Sequence, residues 1–94
     1  FTNYKALNGY TKLPNGVIIQ WGYGYTDGNP TTIYFPIAFP SYVANVMATN
    51  ANDIGYNSIP TVISPITLTY FTVAARNAAN DIESTNFYYI AIGW

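Results

Sequence analysis

Cysteine and histidine are both absent from the 94 residues. No disulfide can brace the fold, and the usual zinc sites lose their ligands. The Ser-His-Asp and Cys-His arrangements of nucleophilic catalysis are excluded on the same ground. Charge is almost as scarce, at 7% of residues. The cations are Lys5, Lys12 and Arg76; the acids are Asp27, Asp53, Asp81 and Glu83. A surface that tracks nucleic-acid phosphates needs a basic patch, and three scattered cations cannot build one. No apolar run approaches the roughly 20 residues of a membrane span, and no basic segment with a cleavage pattern opens the chain, so neither membrane insertion nor a secretory leader is expected. A chain this short buries a modest fraction of its surface. Without disulfide or metal, the remaining common support is oligomerisation.

What is present is apolar, aromatic and uncharged. Half of the residues are hydrophobic and 18% are aromatic, ten of them tyrosine. The polar remainder is mostly Asn, Thr and Ser, a make-up similar to that of extracellular or carbohydrate-facing β-domains. Thr and Tyr favour strands, whereas Asn and Gly favour turns. No helical periodicity persists. Six short segments with turn residues between them read as strands: residues 17–23, 31–35, 42–49, 54–63 (weakened by Pro60), 66–74 and 87–94. That spacing predicts an all-β fold, an antiparallel β-sandwich of about six strands. Residues 1–10 show no pattern and read as a connector, leaving residues 11–94 as the domain.

The segment 87–94 is apolar on both sides. Phe87, Tyr89, Ala91 and Gly93 alternate with Tyr88, Ile90, Ile92 and Trp94. Two readings stay open: a central strand covered on both faces by its own domain, or a strand whose second face meets another subunit.

If six strands run antiparallel in sequence order, the connections alternate between two ends. Residues 23–30, 50–53 and 75–86 fall at one end, and with them all four acids, Arg76, and the polar Tyr23, Tyr25, Asn29, Asn52, Asn77 and Asn80. The other end receives short, proline-stiffened apolar links such as Phe35-Pro36-Ile37-Ala38-Phe39-Pro40. Loops on a rigid scaffold are where binding residues concentrate. This geography requires the weak fourth strand to exist.

Three ordered motifs carry a family resemblance. They are Gly9-Tyr10-Thr11-Lys12-Leu13-Pro14-Asn15-Gly16-Val17-Ile18-Ile19-Gln20-Trp21-Gly22, then Phe35-Pro36-Ile37-Ala38-Phe39-Pro40, then Phe87-Tyr88-Tyr89-Ile90-Ala91-Ile92-Gly93-Trp94. Together the sequence resembles the C-terminal tip domain of bacteriophage tail fibres. From Ile33 onward it is more distantly similar to the H-type lectin sandwich. The resemblance implies a homotrimer at the end of an upstream fibre shaft, made in the bacterial cytoplasm and carried on the virion, with a fibre-assembly chaperone among its partners. It also implies recognition of a bacterial surface polysaccharide such as lipopolysaccharide. H-type lectins often use a histidine on their sugar; this chain has none, so the fold and the trimer carry over and the site does not.

The candidate ligand-binding residues are therefore Tyr23, Tyr25, Asp27, Asn29, Asn52, Asp53, Arg76, Asn77, Asn80, Asp81 and Glu83. Sugars offer hydroxyls to Asn, Asp and Arg, and apolar faces to aromatic rings. Each residue also has a plainer role. Asp27-Gly28 can simply make a turn, and residues 50–53 can cap one. Arg76 can bind an anionic group bidentately or pair with Asp81 or Glu83 at the surface. A domain that only trimerises or caps a fibre, with no ligand, is the alternative function. A glycosidase needs two carboxylates at a defined separation, and four acids on loops are a weak basis for that, so no enzyme is expected. No Asp-x-Asp-x-Asp-Gly calcium loop occurs; neither metal nor cofactor is expected.

Overall fold

The structure is a computed structural model that describes residues 3–51 and 58–94. Its described residues form eight strands in two antiparallel sheets and no helix. The strands are β1 (Asn3–Tyr4), β2 (Gly9–Lys12), β3 (Ile18–Thr26), β4 (Thr31–Tyr34), β5 (Val43–Asn50), β6 (Ile59–Ile63), β7 (Tyr70–Arg76) and β8 (Thr85–Gly93). The larger sheet has the order β1-β2-β3-β8-β5 and the smaller β4-β7-β6.

Local sequence explains the main elements. In β3 the residues Ile18, Gln20, Gly22 and Thr26 are buried, while Tyr23 and Tyr25 are exposed. That alternation is what one covered sheet face requires. The turn before it is set by Pro14-Asn15-Gly16. Gly16 takes a φ of 92°, a conformation that costs glycine little. The Leu13 amide donates to the Val17 carbonyl at 2.8 Å, and the Val17 amide donates to Asn15 Oδ1 at 3.1 Å. Pro60 sits in β6, which is an edge strand, the place in a sheet where a missing N–H is tolerated.

The core lies between the sheets. Ile18, Phe35, Phe39, Phe71, Val73, Phe87, Tyr89 and Ala91 form one buried cluster. The Phe71 and Tyr89 rings meet edge-on with centroids 4.9 Å apart, and Phe35 packs edge-on against Phe39 at 5.0 Å. Full burial of each such side chain contributes roughly 1.5–3 kcal/mol. Gln20, fully buried, holds the link between β4 and β5 to the large sheet. Its Nε2 donates to the Ile37 carbonyl at 2.9 Å, and its Oε1 accepts from the Ile37 amide at 3.0 Å. The side-chain amide thus stands in for a strand and leaves neither group unpaired.

Three features depart from the sequence expectation. The connector read over residues 1–10 contains regular structure: β1 and the start of β2 extend the large sheet, with Asn3 opposite Thr11 and Gly9 opposite Trp21. The strand read at 66–74 begins only at Tyr70, because Thr67 folds back on itself: its Oγ1 accepts from the Tyr70 and Thr69 amides. Within that strand Phe71 through Ala75 are all buried. It is the central strand of its sheet, and Thr72 satisfies its hydroxyl on the Pro65 carbonyl at 2.9 Å. Of the weak fourth strand, β6 forms over Ile59–Ile63; residues 54–57 lie outside the described residues.

Register fixes two ends. Thr26 lies opposite Thr85, and Phe87 opposite Asn50, at one end of the large sheet; Ile59 lies opposite Arg76 at the same end of the small one. Ile18, Gly93 and Val43 mark the other end.

Candidate functional site

The connection between β3 and β4 and that between β7 and β8 both leave from the first end and pack on each other there. Gly28, with a φ of 101°, presses so close to Ile82 and Glu83 that a Cβ would lie 2.5 Å from the Ile82 side chain and 2.7 Å from the Glu83 amide nitrogen. Arg76 ties the two connections together. Its guanidinium donates to the Gly28 carbonyl at 2.6 Å and to its own neighbour's, Ala75, at 2.9 Å. It does not take the surface pairing with Asp81 or Glu83 that the sequence allowed. Arg76 is half-buried, so this is a clamp as well as a charge.

The other polar residues at this end shape their own loops. Asp27 accepts the Asn29 amide at 3.0 Å, a side-chain-closed turn. The Thr26 hydroxyl accepts the Gly28 amide at 3.1 Å and lies 2.8 Å from the Thr31 hydroxyl. Asn77 Oδ1 accepts from the Ala79 and Asp81 amides at 2.9 and 3.0 Å, and its Nδ2 reaches Glu83 Oε1 at 3.5 Å. Asn80 occupies the left-handed region, with a φ of 67°. What remains outward is the exposed side chains of Asn29, Asn80 and Asp81 and the solvent-facing part of Asp27. Asn52 and Asp53 lie outside the described residues; the strands they connect, β5 and β6, meet this end at Asn50 and Ile59, and Asn50 Nδ2 donates to the Ser58 carbonyl at 2.6 Å.

Tyr23 and Tyr25 belong to a different surface. They lie on the outer face of the large sheet, away from the core, 36% and 57% exposed. The Tyr23 ring leans on Tyr88 with centroids 5.1 Å apart. Along the same face run Trp21 on β3, Ile90 on β8 and Met47 on β5, in one row of the register. Tyr88, Ile90 and Met47 are all about half exposed. Between β5 and β8 this face is notched by a cavity of about 350 Å³, lined by Met47, Ala48, Thr49, Tyr88, Tyr89 and Ile90. No charged residue lies in β3, β5 or β8. Sequence reasoning named neither the notch nor Met47; the signal for the face was there, in the second apolar side of the last strand. Among the described residues, no group of three or more acidic side chains is placed to hold a metal ion, and no helix is long and apolar enough to cross a membrane.

Residues 12–94 match the family described as "Putative tail fiber protein gp53-like, C-terminal". The chain belongs to this family. Relatives of this tail-fibre domain include "Putative tail fiber protein gp36" of Acyrthosiphon pisum secondary endosymbiont phage 1, 31% identical over the whole chain and 29% of gp36. An uncharacterized protein of Methanocaldococcus jannaschii is 34% identical over the whole chain and 68% of its own length. Among solved structures, an N-truncated R1-type pyocin tail fiber superposes with a TM-score of 0.79 at 26% identity, over 99% of this chain and 84% of that one. An N-truncated R2-type pyocin tail fiber gives 0.82 over 99% of this chain and 37% of that one; at 20% identity it speaks for the fold alone. The domain therefore spans less than a third of gp36 and little over a third of the R2 fiber fragment. The all-β, two-sheet expectation and the tail-fibre resemblance both hold.

Proposed function

We propose that this domain is the receptor-recognition tip of a phage-type tail fibre, carried on the virion and made in the host cytoplasm, and that three copies associate through the outer face of the large sheet. Its ligand is a bacterial surface glycan such as lipopolysaccharide, met by the end that bears Asp27, Asn29, Asn80 and Asp81. The observation that carries the reading is a division of labour in the surface. Among the described residues every acid, together with Arg76, sits at one end, while the broad outer face has exposed rings and no charge. A wet, polar rim on a rigid scaffold suits hydroxyl-rich ligands; an uncharged aromatic face suits burial against another protein surface.

The chain enters along β1 towards the polar end, since β1 runs antiparallel to β2 and parallel to β3. An upstream shaft joined there approaches from the apolar end and leaves the polar end pointing away. Each rim would bind weakly; three rims on one tip raise avidity through effective concentration. The reading assigns no catalytic step, metal or cofactor.

The test is retention on immobilised bacterial surface polysaccharides. The chain should bind at least one of a panel, and Asn29→Ala, Asn80→Ala and Asp81→Ala should each weaken binding by about tenfold with subunit assembly unchanged. Absence of binding to any polysaccharide, in a chain that still assembles, would establish the capping domain instead.

A further inference from the structure

Three copies around an axis need two different complementary patches on each copy, because a ring of heads and tails does not pair a patch with itself. The outer face of the large sheet supplies two such patches. One is the notch of about 350 Å³ between β5 and β8. The other is the Tyr23 ring on β3, the exposed aromatic nearest to it in height that does not line it. We infer that the Tyr23 ring of one copy fills the Met47–Thr49–Tyr88–Ile90 notch of the next, closing the trimer; this rests on the trimer reading given above.

Size permits it. An engineered apolar cavity of about 150 Å³ takes up a benzene ring, so the notch has room for a phenol with its ring edge towards the sheet. Chemistry permits it as well, since the notch walls are a thioether, aliphatic carbons and a ring, with one Thr hydroxyl, and no charged group lies on any of the three strands. Tyr23 is held ready. Its ring leans on Tyr88 from one side, and its amide donates to Asn8 Oδ1 at 2.8 Å, just before β2 begins. An anchor fixed before contact loses little freedom on binding.

Height decides between a ring and a filament. If the donor patch and the acceptor patch lay at different levels, each added copy would climb and the assembly would stay open. Here Tyr23 lies opposite Tyr88, and Tyr88 opposite Thr49. Knob and notch share one row of the register, between one and two strand spacings apart, roughly 7 Å. Neighbours joined this way stay level.

The assignment makes a prediction that a symmetric contact does not. Tyr23→Ser removes the knob and keeps the notch; Met47→Glu charges the notch and keeps the knob. Met47 is 53% exposed and Tyr23 36%, and neither belongs to the buried core, so the fold should survive, as circular dichroism will show. By sedimentation or native mass spectrometry the unaltered chain should be a trimer, and each variant alone should be at least about tenfold weaker in assembly. Mixed in equal amounts, the two should form a heterodimer and stop there, because only one of the possible junctions has both parts. Tyr23→Phe should remain trimeric. If Met47→Glu does not fold, Thr49→Lys replaces it. Trimeric variants, or a mixture without heterodimer, overturn the knob-and-notch assignment while the trimer stands. A monomeric unaltered chain overturns both.

Discussion

The two faces of β8 are nearly equal in hydrophobicity and opposite in fate. On one side Phe87, Tyr89 and Ala91 are 4% exposed or less; on the other Tyr88 and Ile90 are 50% and 46% exposed. The small sheet accounts for the difference. Its three strands can cover one face of the five-stranded sheet; on the other face the link between β1 and β2 reaches Trp21, whose indole donates to the Ala6 carbonyl, and Tyr88 and Ile90 stay exposed. Apolar character alone therefore does not separate core from interface. Coverage does, and coverage is a property of topology.

Substitutions can sharpen that contrast. The largest effect is expected inside. Phe87→Ala should lower the free energy of unfolding by about 3–5 kcal/mol, read from urea titrations, because a fully buried ring is replaced by a cavity. A smaller effect concerns Tyr89, whose phenol burial pushes up to about 12. The unfolded chain ionises this group near 10, so the folded state holds the proton more tightly. Stability from this residue is complete below about pH 10 and is lost as pH rises towards 12. Tyr89→Phe should flatten that part of a melting-temperature profile. The smallest effect on the fold belongs to the outer side. Ile90→Ser should change unfolding of the single chain by no more than about 0.5 kcal/mol, yet shift sedimentation towards smaller species. A large loss of fold stability from Ile90→Ser would mean the outer face is core after all.

Much of the architecture was legible. Alternation located β3 and β8, turn residues located the connections, and strand parity placed Asp27, Arg76, Asp81 and Glu83 at one end, where Arg76 and Gly28 now join. What failed to show were elements whose stability is not local. β1 and β2 carry no alternation of their own and form because β3 offers an edge. The apolar run Ile66-Thr67-Leu68 looks like strand but is bent by hydrogen bonds to Thr67, which no periodicity reports. The candidate set was also divided in a way composition could not foresee. Tyr23 and Tyr25 share the sheet's alternation and so join Tyr88, while the Asn and Asp residues spend several of their acceptors on their own turns. The β5–β8 notch is made by residues far apart in the chain, with Thr49 opposite Tyr88 and Met47 opposite Ile90, beyond the reach of any local pattern.

The bond from Arg76 to the Gly28 carbonyl has a practical corollary for engineering. The link after β3 and the long return before β8 are bolted together, with glycine at the contact because no side chain fits there. Transplanting one of them from a related fibre would strand a guanidinium or jam a methyl against Ile82. Successful chimaeras should exchange both as a single cassette, along with the arginine that joins them.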